Sequence, residues 1–324
     1  MTENIVSFGI IGFGGYAERR LIPAFTRTRH SRLLAIFRRQ LDAARLSALE
    51  YHIPFYYSSV EELLKNPEIT AVIVATPPAF HYEHALLAAR QGKHVLLEKP
   101  MTSTATEMEK IVGEFSRKQL KLISAFVMRF IDAIQKTREL IQNESLGELS
   151  YAGGILGINA SMVKRDWLED PLISGGGVVA DLGSHLLDLL EYTSGKKIIQ
   201  LKSILRPRYS KKTVEKNAVL SLEFDEGVLG TLYLSFTSLR ESGLTFRGSK
   251  GKLSLQNFNR PEAEVELELT TERGTEKIKV LNRNYYGSML DHFARAILFD
   301  EPILSPGESG LHNQQLIDRI YNRK

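Results

Sequence analysis

Val6-Ser7-Phe8-Gly9-Ile10-Ile11-Gly12-Phe13-Gly14-Gly15-Tyr16-Ala17 is the stretch from which the rest of the chain is read. Its first six residues form a short, mostly apolar run, as a strand covered on both faces would, and the run stops at Gly12. Ala17 to Phe25 follows with its apolar residues on one side, as in a helix. Strand, turn and helix in this order fit G-x-G-x-x-A, with Gly12 for the tight turn, Gly14 for close approach of a pyrophosphate and Ala17 for helix–strand packing. Helix N-terminal amides would then face the anion. Gly12, Phe13, Gly14, Gly15, Tyr16 and Ala17 are therefore the expected dinucleotide cradle. A glycine-rich βα turn without a ligand is the competing reading, and the position directly after the first strand favours the cradle.

Outward from this point the same grammar repeats. Strands are expected at Leu33–Phe37, Ala71–Ala75, His94–Leu97 and Leu120–Val127, with helices at Leu41–Tyr51, Val60–Leu64, Phe80–Gln91 and Thr104–Lys118. Such alternation makes a parallel, doubly wound sheet with helices on both faces, here over residues 1–127. Beyond residue 128 polar and apolar residues alternate, as in Ala218–Phe224 and Val228–Phe236 around the turn Asp225-Glu226-Gly227, with a second turn at Arg247–Gly251. That pattern predicts a second α/β domain over 128–324 with a largely antiparallel sheet. The helix Leu182–Tyr192 would cover part of one sheet face and a second copy of the protein the other. The helix Tyr286–Phe299 and the tail to Lys324 would return to the first domain.

Composition narrows the function. A length of 324 residues favours two domains over one. With 43% hydrophobic and 25% charged residues the chain is neither disordered nor extreme. The net charge of +4 is spread among interspersed acids and bases, which argues against a nucleic-acid partner. The absence of cysteine rules out disulfides, zinc thiolates and a thiol nucleophile. The opening residues lack the pattern of a secretion signal, and no apolar stretch would span a membrane, so a cytoplasmic protein without a membrane partner is expected.

Three groups of residues carry chemistry. Arg38 and Arg39 end the second strand, where NAD-binding units commonly place an acid against the adenosine ribose. Guanidinium groups there match a 2′-phosphate and predict NADP(H) over NAD(H), unless both are ordinary surface arginines. Glu98-Lys99-Pro100 follows a strand at the carboxyl edge of the sheet, where open α/β folds bind ligands. A cis bond before Pro100 would fix how Lys99 projects. Lastly, Asp181, His185 and Asp188 fall on one helical face after Gly175-Gly176-Gly177, so Asp181 could orient His185 for proton transfer. The plainer reading makes Asp181 a helix cap and His185 an interior histidine. No metal is expected, since these residues lack a second His at ligand spacing.

GFGGYA at 12–17, VIVATPP with His81 four residues beyond Pro77, LLEKP at 96–100 and GGGVVADLGSHLLD at 175–188 together resemble the Gfo/Idh/MocA family of oxidoreductases. The resemblance extends over nearly the whole chain through FRGSKGKLSL at 246–255, Tyr286–Phe299 and Pro302. It implies a Rossmann domain followed by an α/β domain whose open, largely antiparallel sheet forms a homodimer or homotetramer interface. It further implies catalytic roles for Lys99, Asp181 and His185. Thr76, Pro77 and His81 would belong to the cofactor side, with Glu98 supporting the nicotinamide, and Arg129 and Trp167 would contact substrate. Glu215-Lys216-Asn217 departs from the acidic pair common in relatives.

On this basis His185 would exchange a proton with a substrate hydroxyl or carbonyl while hydride passes to or from nicotinamide, and Lys99 would stabilise the same oxygen. The resemblance implies a sugar, cyclic polyol or sugar derivative as substrate. It also leaves room for a nicotinamide-dependent glycosidase and for a dinucleotide-binding sensor.

Overall fold

The computed structural model describes residues 4–160 and 166–323. The chain forms two compact units, one of residues 1–126 and 286–314, the other of residues 127–285 and 315–324.

The first unit is built on six parallel strands: β1 (Val6–Ile11), β2 (Ser31–Phe37), β3 (Phe55–Tyr57), β4 (Ala71–Val74), β5 (His94–Leu97) and β6 (Leu122–Ser124). Their order is β3-β2-β1-β4-β5-β6, a doubly wound sheet whose winding reverses between β1 and β4. β1 and β4 are buried along their whole length, which is why β4 reads as an unbroken apolar run and β1 as a mostly apolar one. The helices are α1 (Ile22–Phe25), α2 (Leu41–Glu50), α3 (Val60–Lys65), α4 (His81–Arg90) and α5 (Ala105–Arg117). Ser59 and Thr104 cap α3 and α5 by accepting the N–H of Glu62 and Glu107.

Two boundaries differ from expectation. The segment expected as one helix from Ala17 begins with a π turn, Ala17–Leu21, before α1. Pro23 has no N–H to give the carbonyl of Arg19 and its ring crowds that carbonyl, so the winding opens there. The last strand is also shorter than expected, because the chain turns into a 3₁₀ segment at Val127–Phe130.

The second unit contains α6 (Asp132–Gln142), β7 (Leu149–Asn159), α7 (Pro171–Ser174), α8 (Ser184–Ser194) and β8–β14 (Ile198–Arg206, Asn217–Phe224, Leu229–Ser235, Thr237–Gly248, Gly251–Gln256, Glu264–Thr271 and Gly274–Leu281). The sheet order is β14-β13-β12-β11-β7-β10-β9-β8, antiparallel except for the β7–β10 pair. On its inner face Ala152, Leu156, Leu220, Leu232, Leu244 and Phe246 are buried, and α8 lies against β7. Gly154 makes that approach close: a Cβ there would stand 3.2 Å from Leu186 of α8. On the outer face Ile204, Val219, Tyr233 and Ile155 are register partners across β8, β9, β10 and β7, and form an exposed apolar row.

The chain closes with α9 (Tyr285–Phe299) and α10 (Gly307–Tyr321). Within the first unit, Asp291 of α9 accepts the N–H groups of Arg29 and His30, and Ser124 donates its N–H to Ser305 at 2.8 Å. Among the described residues no helix is long and apolar enough to cross a membrane.

Candidate active site

The glycine turn sits at the switch point of the first unit's sheet. Gly12 has φ +98°, and a Cβ on it would stand 2.6 Å from the backbone nitrogen of Thr76, so the turns after β1 and β4 approach as only glycine allows. Phe13 donates its N–H to Phe37 at the end of β2, and Ala17 is fully buried. Nothing stands within 4 Å of where a Cβ of Gly14 would be, which is the open approach a pyrophosphate needs. At Gly15 the guanidinium of Arg19 comes within 2.7 Å of the corresponding point, so a positive charge folds back over the turn.

Arg38 and Arg39 follow β2 at the edge of a cavity of about 450 Å³ lined also by Gln40 and Ala43. Arg38 Nη1 donates to Ser47 Oγ at 2.5 Å and lies 3.6 Å from the Glu18 carboxylate, while Arg39 is exposed. Ser47 and Glu18 thus hold the Arg38 guanidinium from one side.

Thr76 and Pro77 follow β4 and are half-buried. His81, at the start of α4, is fully enclosed. Its Nε2 lies 2.7 Å from the Thr76 carbonyl, and its Nδ1 lies 3.0 Å from the carbonyls of both Pro100 and Met101. Burial lowers its pKa to about 4 against the opposing pull of these three carbonyls, and the ring stands between the β4 turn and the loop after β5.

Glu98 and Lys99 directly follow β5, and the Lys99–Pro100 bond is cis. Glu98 is 7% exposed, accepts the Tyr16 hydroxyl proton at 2.5 Å and is reached by the Lys99 N–H at 3.3 Å. Burial raises the carboxyl to about 7, against the opposing pull of Tyr16 and of the Lys99 charge. Tyr16 is pushed well above the ordinary phenol range, by burial and then by the Glu98 charge. The sequence places Tyr16 in the expected cradle but does not name Glu98 as its partner. An aromatic hydroxyl in the cradle was the only signal for the pair.

In the second unit Asp181 lies in a π turn, Val179–Gly183, that runs directly into α8 carrying His185 and Asp188. Asp181, His185 and Asp188 are 5%, 8% and 4% exposed. Asp188 has a different partner from the pair it was grouped with: it accepts Arg129 Nη2 at 2.6 Å and Nε at 3.0 Å. Burial raises the pKa of Asp188, which the Arg129 charge opposes. The Arg129 guanidinium also lies 4.9 Å over the ring of Tyr192. Trp167 stands in a 3₁₀ turn, Asp166–Glu169, partly exposed. Among the described residues no three His, Cys, Asp or Glu side chains gather into a metal-binding group.

Residues 6–126 match the model of an oxidoreductase family with an NAD-binding Rossmann fold, GFO_IDH_MocA, and residues 134–254 match the GFO/IDH/MocA C-terminal domain. A trans-1,2-dihydrobenzene-1,2-diol dehydrogenase from Sus scrofa is 31% identical over 250 residues, covering 76% of this chain and 72% of that protein. The fold is shared with an aldose-aldose oxidoreductase from Caulobacter crescentus crystallised with glycerol, at TM-score 0.89, 23% identity and coverage of 98% and 97% of the two chains. It is shared equally with a 3-ketoreductase from Actinomadura kijaniata in complex with NADP and TDP-benzene, at TM-score 0.88, 21% identity and coverage of 98% of each chain.

Proposed function

The chain belongs to the Gfo/Idh/MocA family of NAD(P)-binding oxidoreductases, and from that premise we propose an NADP(H)-dependent dehydrogenase or reductase acting on a hydroxyl or carbonyl carbon of a sugar, cyclic polyol or sugar derivative. The observation that carries this reading is the carboxyl edge of the first sheet. There the open approach at Gly14, the Arg38–Arg39 cavity and the Glu98–Lys99 strand end all stand around the β1–β4 switch point. Gly12–Ala17 would hold the pyrophosphate, Arg38 and Arg39 the 2′-phosphate, and Thr76, Pro77 and Glu98 the remainder of the dinucleotide, with His81 bracing them. A bound nicotinamide supplies the two-electron chemistry.

The protein's own part is proton management. In this reading His185 takes the proton from a substrate hydroxyl, or gives it to a carbonyl, and Asp181 holds the tautomer that does so. Lys99 places a positive charge on the same oxygen and stabilises the alkoxide as it forms. Arg129 and Trp167 are assigned to the substrate side. Support for a polyhydroxylated or cyclic substrate comes from the relatives, one acting on a cyclic diol and others on an aldose or a 3-keto group. We assign the outer apolar row of the second sheet to a second copy of the chain in a homodimer or homotetramer.

A panel of aldoses, inositols and cyclic diols, assayed in both directions at the nicotinamide absorbance band, tests the reaction. Steady cofactor turnover supports it. Glycoside cleavage without net turnover, or tight cofactor binding with neither activity, would replace it with the hydrolase or the sensor.

A further inference from the structure

The glycine run Gly175-Gly176-Gly177 leads into the helical segment that carries Asp181 and His185. The first amides of a helical segment find no partner within it. Here each is met by a residue distant in the chain. Gly177 and Val179 donate their N–H groups to the Glu215 carboxylate at 3.2 and 2.9 Å, and Val178 donates to the Glu215 carbonyl at 3.0 Å. Ala180 donates to the Tyr321 phenol oxygen at 3.2 Å, which Gly177 also reaches at 3.2 Å. The phenol completes the circuit by donating to Glu215 Oε1 at 2.6 Å.

The fit leaves no slack. Glu215 is fully buried, and a Cβ on Gly177 would stand 2.0 Å from its carbonyl oxygen. Gly176 has φ +139°, and a Cβ there would meet the Tyr321 phenol at 2.4 Å. Arg323 extends the clamp by donating to the carbonyl of Gly175 and to the Tyr209 hydroxyl, both at 2.7 Å. Burial and the Glu215 charge hold Tyr321 well above the ordinary phenol range, so its proton stays in the bond to Glu215. Asp181 follows at once, donating its N–H to the Gly177 carbonyl at 3.0 Å.

We propose that Glu215 and Tyr321 are positioning residues: together they fix the start of the helical segment and so set where Asp181 and His185 present their side chains for proton transfer. This rests on the acid–base reading of His185 given above. A carboxylate at that end of the segment complements its dipole, and the four amides taken by the Glu215 carboxylate, the Glu215 carbonyl and the Tyr321 phenol leave the first turn one place to sit.

Tyr321→Phe removes a single oxygen and keeps the ring, which packs on Tyr209 with centroids 4.2 Å apart. Glu215→Gln keeps the shape and removes the charge. Each variant, with NADPH present, is assayed on the sugar of the panel that turns over fastest. NADPH affinity is read by fluorescence, and the His185 ring is titrated by NMR, its signals assigned by their loss in His185→Ala. The expected result is kcat lowered about 10²-fold, the effect of a displacement near 1 Å, with NADPH affinity unchanged and the His185 titration shifted. A folded Tyr321→Phe with wild-type kcat and an unmoved His185 titration overturns the proposal. If His185→Ala is inactive and Tyr321→Phe is not impaired, only the positioning role fails; if His185→Ala keeps full turnover, the acid–base reading fails with it. Should the variants not fold, deuterium exchange on the wild-type protein decides: the amides of 177–180 exchange as slowly as those of the central strands, or at loop rates, which overturns it.

Discussion

Tyr16 and Glu98 lie 82 residues apart and share a 2.5 Å hydrogen bond, which ties the glycine turn after β1 to the end of β5. β4 lies between those strands, so the bond spans the point where the cofactor is expected to lie.

The bond has a pH signature. Burial puts the Glu98 carboxyl at about 7, above its ordinary 4.5, so its contribution to stability is complete below that ordinary value and is lost as pH rises through 7. The melting temperature of the wild type should therefore fall between pH 4.5 and 7.5 relative to Glu98→Gln, whose amide does not titrate. Tyr16→Phe removes a bond that favours the ionised carboxyl and should move the transition upward in pH. Parallel melting curves for wild type and Glu98→Gln across this window would show that Glu98 does not titrate as described.

For the cofactor, Arg38→Ala combined with Arg39→Ala should weaken NADPH by about 1.5–3 kcal/mol for each charged hydrogen bond lost and leave NADH nearly unaffected. Calorimetric titration of both cofactors gives the comparison. Wild-type protein that holds NADH as tightly as NADPH refutes the preference.

Kinetics test the proton path. His185→Ala should lower kcat by about 10²–10⁴-fold and erase one limb of the pH–rate profile. Lys99→Ala should lower the rate strongly with cofactor affinity nearly intact, and Asp181→Asn should act in the same direction more mildly. Full turnover by His185→Ala would make it a structural histidine.

The outer row of the second sheet gives a test of assembly. Tyr233 is 38% exposed at the middle of the row Ile204, Val219, Tyr233 and Ile155, and Tyr233→Arg should leave a monomer by light scattering at micromolar concentration. A monomeric wild type under the same conditions removes the interface.

The strands of the first unit were legible because each is a short apolar run between glycine, proline or polar breaks, and their alternation with helices has one architectural outcome. β3 was not, since three residues carry no period. β7 was not named from the sequence, since Gly153, Gly154 and Gly157 interrupt the strand pattern, although Gly154 is what lets α8 close on the sheet. Its parallel pairing with β10 follows from contacts between residues about 80 apart, which no local pattern encodes. The candidate site divides the same way. Glu98, Lys99, Asp181 and His185 stand in short motifs, whereas the partners of Tyr16, Asp188 and Glu215 are named only by the folded chain.

The last stretch of sequence matters to both units. Residues 286–314 complete the first, and residues 315–324, with Tyr321 among them, complete the second. Domains emerging from a ribosome generally fold in the order they are made. Here that order is defeated: the amides of Gly177 and Ala180 wait for a tyrosine 144 and 141 residues downstream, so the second unit cannot be finished before Tyr321 has been made. A chain stalled or clipped before Tyr321 would leave an almost complete second sheet with its helix start held by Glu215 alone.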